Sequence, residues 1–171
     1  MDFLLESNLS RVIILNEEHE AAAISAYTLI PELNNRKQTK KLLEDLKKLN
    51  KKYPLSIIDI EGVYTYMEGD KQATKVSERG FWVTNLSDYQ GFWDDIAYLG
   101  EKYYQESVLL VPKAAFTKYN DHAFLYYTNG PNKGKMQEFN GTIKIQDMNG
   151  ELYGTKVKNK IFVITNPGEV F

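Results

Sequence analysis

The stretch that decides the fold is RKQTKKLLEDLKKLNKK, residues 36–52. Its leucines at 42, 43, 46 and 49 follow the i, i+1, i+4, i+7 spacing that places apolar side chains on one face of a helix. This periodicity predicts a helix over 37–49, with Leu42, Leu46 and Leu49 buried. Asn34 or Asn35 supplies the N-cap, because the side chain of asparagine accepts a hydrogen bond from a free backbone N–H.

Strand patterns lie on both sides of this helix. Residues 21–30 form an apolar run that ends before Pro31, and 56–66 alternate apolar with polar residues. Residues 75–84 read as the returning antiparallel strand, after a turn at 69–71. An S-x-x-Q capping box at Ser87 and Gln90 predicts the start of a second helix. A compact apolar strand follows at 107–111.

The order strand, helix, strand, strand, helix, strand is the split βαβ pattern. The predicted fold class is therefore α+β, a mostly antiparallel sheet with two main helices packed on one face and a C-terminal β-meander. Residues 1–171 are expected to form a single domain, with an α+β core over 20–130 and a β-hairpin extension over 131–171. Residues 11–15 fit either a short strand or part of a first helix.

Composition excludes several kinds of site. The 171 residues contain no cysteine and two histidines, and their net charge is −2. Disulfide scaffolds, thiolate metal sites, cysteine nucleophiles and a three-histidine metal site within one chain are therefore excluded. We predict no cofactor and no metal site. No apolar run approaches the 18 residues that would cross a membrane, and no signal peptide is visible, so a cytoplasmic protein without membrane contact is expected.

The segment 36–52, which contains the predicted helix, is strongly basic, because eight basic and two acidic residues give it a net charge of +6. Lysines on an exposed helix face are usually solvated, and we favour that reading. A face of this kind also attracts anions. Nucleic acid is thus a lesser alternative partner, through the lysines of this face: Lys40, Lys41, Lys47 and Lys48.

Several ordered motifs resemble one family. These are Ser25-Ala26-Tyr27, Asn35-Arg36 at a helix start, Ile60-Glu61-Gly62-Val63-Tyr64, Glu78 leading a strand, and Leu99-Gly100 followed by Gln105-Glu106-Ser107. Their order and spacing resemble the bacterial and phage proteins grouped as domain of unknown function 3293, over about residues 20–130. That family brings no established activity with it. The resemblance implies a polar set of candidate ligand-binding residues: Asn35, Arg36, Glu78, Gln105, Glu106 and Ser107.

Structural roles compete with this reading. Asn35 can cap a helix, Arg36 can form an ion pair with Glu78 or Glu106, and Gln105 with Glu106 can end the second helix. Arginine gives planar, bidentate contact to a carboxylate or phosphate, so Arg36 needs an acidic neighbour or an anionic ligand.

Two functions follow from these observations. We expect first a non-enzymatic binding or interaction protein, such as a phage or mobile-element accessory factor, with a protein partner or a small anionic ligand. The alternative is a small enzyme or ligand-binding domain for a phosphorylated or nucleotide-like compound, using Arg36, Glu78, Gln105 and Glu106. The sequence leaves catalytic residues and oligomeric state open.

Overall fold

The computed structural model describes residues 8–66, 74–115, 123–139, 143–147, 153–157, 160–164 and 167–170. Three helices are present in these ranges: α1 (Asn8–Glu18), α2 (Asn35–Lys52) and α3 (Phe92–Lys102). Ten strands accompany them: β1 (Ala21–Ser25), β2 (Leu55–Tyr66), β3 (Thr74–Asn85), β4 (Ser107–Val111), β5 (Phe124–Tyr127), β6 (Met136–Phe139), β7 (Ile143–Asp147), β8 (Tyr153–Val157), β9 (Lys160–Ile164) and β10 (Pro167–Val170).

The strands form one sheet in the order β10-β6-β5-β4-β1-β3-β2-β8-β9-β7. Its centre, β4-β1-β3-β2, confirms the predicted split βαβ arrangement, because β3 lies between β1 and β2 and pairs antiparallel with both. The strands after β5 divide between the two edges. β6 and β10 extend the sheet beyond β5, whereas β8, β9 and β7 extend it beyond β2.

One face of the sheet packs against α2 and α3, as the sequence predicts. Alternate residues of the strands, such as Ile24 and Phe81, enter this core together with Leu42 and Leu46 of α2. Leu42 and Leu46 have no exposed surface, while Leu49 is partly buried at the edge of the cluster. The leucines on one face of α2 and the alternate apolar residues of the strands thus pack together in one apolar layer.

The opposite face of the sheet is covered by α1. Residues 11–15, for which the sequence allowed a strand or a helix, are helical. Val12 of α1 packs in a second core cluster with Ile58, Trp82 and Val111. The central sheet is therefore covered on both faces, by α2 and α3 on one and by α1 on the other.

The ends of the two main helices follow different rules. Asn34 caps α2, accepting a 2.9 Å hydrogen bond from the backbone N–H of Lys37. The predicted capping box of the second helix is wrong, because α3 begins at Phe92 after Gly91, with no side-chain cap. Asn85 instead accepts from the N–H of Tyr89 at 3.1 Å and fixes the preceding turn.

Some sequence predictions fall on other parts of the chain. The predicted turn at 69–71 lies outside the described residues. In the ranges that the structure describes, no helix is long and apolar enough to cross a membrane.

Candidate functional site

The fold brings the backbone of the predicted polar set to one end of the sheet, where β1 ends. Ser25, the last residue of β1, pairs with Gly80. Glu78 lies two residues before Gly80 in β3, just beyond the end of β1. β4 begins at Ser107 on the same side, because Ala23 pairs with Leu109. We call the positions of Asn35, Arg36, Glu78, Gln105, Glu106 and Ser107 the polar edge.

Asn35 does not cap α2 but holds the chain that leaves β1. Its side-chain amide donates to the carbonyl of Thr28 at 3.1 Å, and its carbonyl oxygen accepts from the Thr28 N–H at 2.8 Å. Asn35 therefore satisfies both backbone groups of one residue, which fixes the start of α2 against the exit of β1.

Gln105, three residues after the end of α3, makes the matching contact. Its Nε2 donates to the backbone carbonyls of Tyr27 at 3.0 Å and Tyr103 at 3.1 Å, and the residue is 7% exposed. Asn35 and Gln105 thus hold consecutive residues, Thr28 and Tyr27. The start of α2 and the end of α3 are tied to one short piece of chain.

Thr128 and Asn129 hold the backbone around Glu106. The hydroxyl of Thr128 donates to the Gln105 carbonyl at 2.6 Å, and Asn129 Nδ2 donates to the same oxygen at 2.8 Å. The backbone N–H of Thr128 donates to the Glu106 carbonyl at 2.9 Å. Residues 105 and 106 are therefore fixed by the segment that follows β5.

Arg36 and Glu106, each next in sequence to one of these amides, are both exposed. Within the described part of the chain neither side chain forms an ion pair, so the expected contact between them is not formed. An ion pair between two solvated side chains contributes little free energy, so exposed charges often stay apart. The side chain of Glu78 lies outside the described residues.

Tyr127 lies next to Ser107 and Glu106 of the polar edge. Ser107, half-buried, pairs with Tyr127 across the β4–β5 ladder. Burial and, second, the nearby charge of Glu106 raise the pKa of the Tyr127 phenol, which donates to Gln137 Oε1 at 2.9 Å. The Tyr127 hydroxyl is therefore a neutral group beside the Glu106 carboxylate.

Tyr104 is the feature of this edge that the sequence analysis missed. Its φ is +57°, in the left-handed region that favours glycine. Two hydrogen bonds close the end of α3 around it, from Tyr104 N–H to the Glu101 carbonyl at 3.2 Å and from Gln105 N–H to the Gly100 carbonyl at 2.9 Å. A tyrosine in this conformation costs about 1–3 kcal/mol. The residue is 58% exposed.

A cleft of about 520 Å³ lies at the opposite end of the sheet. Its carboxylates already have partners, since Glu20 accepts from Asn85 at 3.0 Å and Asp88 pairs with His19 at 3.0 Å. No group of three or more metal-ligating side chains occurs among the residues with described positions. The residues that line the cleft are Glu20, Asp88, Gln90, Trp93, Pro112 and Lys113.

The basic face of α2 does not line the cleft, and it begins one helical turn after Arg36 of the polar edge, at Lys40. Lys40, Lys41 and Lys47 are exposed, and Lys48 lies 3.7 Å from Asp45 on the same helix. These positions fit a solvated helix face, and an anionic partner for them stays a prediction.

Comparison with protein families gives one match over most of the chain. The family is described as the S-Adenosylmethionine lyase family, and its model matches residues 22–165. The matched range contains α2, α3 and the whole polar edge. A search of curated proteins gives no match.

This match corrects two expectations from the sequence. The resemblance to domain of unknown function 3293 is wrong, because the matching family is a different one. The non-enzymatic binding protein, or phage accessory factor, is also contradicted, because the family is named for a lyase; the alternative of a small enzyme fits better. With most of its length matched, the chain belongs to the S-adenosylmethionine lyase family.

Proposed function

We propose that the protein is a small enzyme that cleaves S-adenosylmethionine, and that the polar edge binds this substrate. Family membership supports the reaction. The structural observation that carries the location is a pair of exposed charges, Arg36 and Glu106, that have no ion-pair partner among the described residues. Each lies next to an amide, and the two amides hold consecutive residues of one segment. Fixed backbone with unpaired charge is what a preorganised binding site requires.

The substrate has groups that match these charges. S-adenosylmethionine carries an amino-acid carboxylate, an ammonium group and a sulfonium, and its adenosyl half makes it nucleotide-like. The Arg36 guanidinium can hold the carboxylate through two parallel hydrogen bonds. The Glu106 carboxylate is complementary to the ammonium group. Together the two side chains would recognise the amino-acid half of the molecule.

The charge of the reacting centre limits the role of Glu106. Breaking a carbon–sulfur bond of a sulfonium leaves the bonding electron pair on the sulfur, which becomes a neutral thioether. The carbon fragment is then neutralised by losing an adjacent proton to water or by bonding to the molecule's own carboxylate. A carboxylate beside the sulfur would therefore stabilise the bound substrate more than the transition state. We assign Glu106 to binding and orientation at the ammonium group, away from the sulfur.

Thr128 and Asn129 would supply the rigidity for this role. They fix the carbonyl of Gln105 through two side-chain hydrogen bonds, and Thr128 N–H fixes the carbonyl of Glu106. A carboxylate on a fixed backbone loses less entropy when it binds a cation. Thr128 is a positioning residue in this account.

The test is steady-state cleavage of S-adenosylmethionine by variants of the two charges. Arg36→Gln and Glu106→Gln are expected to raise KM about tenfold to hundredfold, the value of a lost charged hydrogen bond, with a smaller change in kcat. Matched controls are Arg11→Gln on α1 and Glu44→Gln on α2, both exposed. Unchanged KM in both site variants would place the substrate elsewhere.

A further inference from the structure

We infer that Tyr104 is the residue on which the adenine ring of the substrate stacks. The inference rests on the proposed function and adds the nucleobase half of the site to the amino-acid half. It starts from an observation that the proposed function does not use, the conformation and exposure of this one side chain.

Tyr104 combines a strained backbone conformation with an exposed side chain. Its φ of +57° is one that glycine adopts without strain, and tyrosine does not. The residue is 58% exposed, so burial does not compensate for the strain. Glycine would end α3 with the same hydrogen bonds and without either cost. Such local conflicts concentrate at functional sites.

The neighbours of Tyr104 hold the backbone on both sides of it in place. Tyr103 is 4% exposed and donates to Asp45 at 2.6 Å, and Gln105 is held by its bonds to Tyr27 and Tyr103. The backbone is therefore anchored on both sides of an exposed aromatic ring. A ring on a rigid support binds a flat partner at low cost in entropy.

The position suits the adenosyl half of the substrate. Tyr104 and Glu106 are two residues apart, which limits their Cα separation to about 7 Å. The two halves of S-adenosylmethionine are joined through one sulfur atom, so an aromatic ring and a carboxylate at this spacing can serve one bound molecule. Adenine offers a flat π-face, and an exposed tyrosine ring can stack on such a face.

The test uses adenosine as a probe, because it carries the base without the reacting amino-acid half. Binding is measured by titration calorimetry, and thermal unfolding is measured alongside. Tyr104→Gly is expected to weaken adenosine binding about tenfold, the usual loss for a base–aromatic stack, while raising Tm. Tyr104→Phe keeps the ring and should bind adenosine as the wild type does. Tyr98→Ala, on the exposed side of α3, is the matched control and should leave binding unchanged.

Two results would overturn the inference. One is unchanged adenosine affinity in Tyr104→Gly. The other is a change in oligomeric state with unchanged affinity, which would make the ring a contact between copies of the chain. Either result leaves the proposed function standing if the wild type cleaves S-adenosylmethionine. Conversely, Tyr104-dependent adenosine binding without cleavage would remove the proposed function and keep the nucleoside site.

Discussion

The phenol of Tyr103 donates a 2.6 Å hydrogen bond to Asp45 Oδ2, which joins the end of α3 to the middle of α2. Lys102 Nζ donates to the same oxygen at 2.7 Å. The reverse contact occurs at the other end of the helices, where Tyr53 after α2 donates to Asp95 of α3 at 2.8 Å. These two tyrosine–aspartate pairs anchor the backbone that leads into Tyr104 and Gln105.

Replacing Asp45 is expected to lower stability in a pH-dependent way. Burial alone would raise the pKa of Asp45, but the hydrogen bonds from Lys102 and Tyr103 outweigh it and the net shift is downward. The stabilisation is therefore complete above the unfolded-state pKa of about 3.9 and is lost as pH falls through the lower folded-state pKa. Asp45→Asn should cost about 1–3 kcal/mol at pH 7.

Urea unfolding of wild type and Asp45→Asn at a series of pH values measures this effect. The difference in unfolding free energy should stay constant above about pH 4 and shrink below it. Glu44→Gln, exposed on the same helix, serves as the control and should change little. A difference that stays the same down to pH 2 would show that the charge of Asp45 is not what stabilises the contact.

The apolar face of α2 gives the largest expected stability effect. Leu46 has no exposed surface and lies in the core between α2, α3 and the sheet. Leu46→Ala should lower the unfolding free energy by about 2–5 kcal/mol, because it removes buried methyl groups and leaves a cavity. Leu43→Ala, at a half-buried position on the same helix, should cost clearly less. Equal costs for the two variants would contradict the assigned face.

Thr84 and Thr128 should respond in opposite directions to the same substitution. The Thr84 hydroxyl is buried without a hydrogen-bond partner among the described residues, whereas that of Thr128 donates to Gln105 at 2.6 Å. A buried, unpaired polar group costs about 1–3 kcal/mol, and valine removes it while keeping the branched shape. Thr84→Val should therefore raise Tm and Thr128→Val should lower it. A loss of stability in Thr84→Val would reveal a bound water at that hydroxyl.

Thr128→Val is also expected to raise KM for S-adenosylmethionine, through Glu106. If Thr128 acts by holding the backbone of residues 105 and 106, its effect on KM should vanish in a Glu106→Gln background. Thr128→Ser, which keeps the hydroxyl, should restore the wild-type KM. Additive effects of Thr128→Val and Glu106→Gln would show that Thr128 has only a structural role.

The sequence predicted the helices and strands of the core because their periodicity is local. The leucine spacing placed α2 within two residues at its start and three at its end. The start of α3 failed for a non-local reason. Asn85, which fixes the preceding turn, also donates to Glu20, 65 residues away, and this pairing depends on the finished sheet.

The candidate site shows the same division. Asn35, Arg36, Gln105 and Glu106 follow from the sequence as a set only through a family resemblance that is wrong. Their common edge depends on the strand order β4-β1-β3-β2. Gln105 holds a carbonyl 78 residues away, which no local pattern encodes. The left-handed conformation of Tyr104 could not be predicted from the sequence, because glycine is the usual sequence signal for a helix end of this type and Tyr104 is not glycine.

The most direct test of the account is to incubate the purified protein with S-adenosylmethionine and follow the substrate and its thioether product by mass spectrometry. We predict loss of the sulfonium with equimolar release of a thioether by the wild type. At substrate concentrations well below KM, Glu106→Gln should be about tenfold to hundredfold slower and Glu44→Gln should match the wild type. A folded wild-type protein that leaves S-adenosylmethionine intact, or a Glu106→Gln variant as fast as the wild type, would contradict the account.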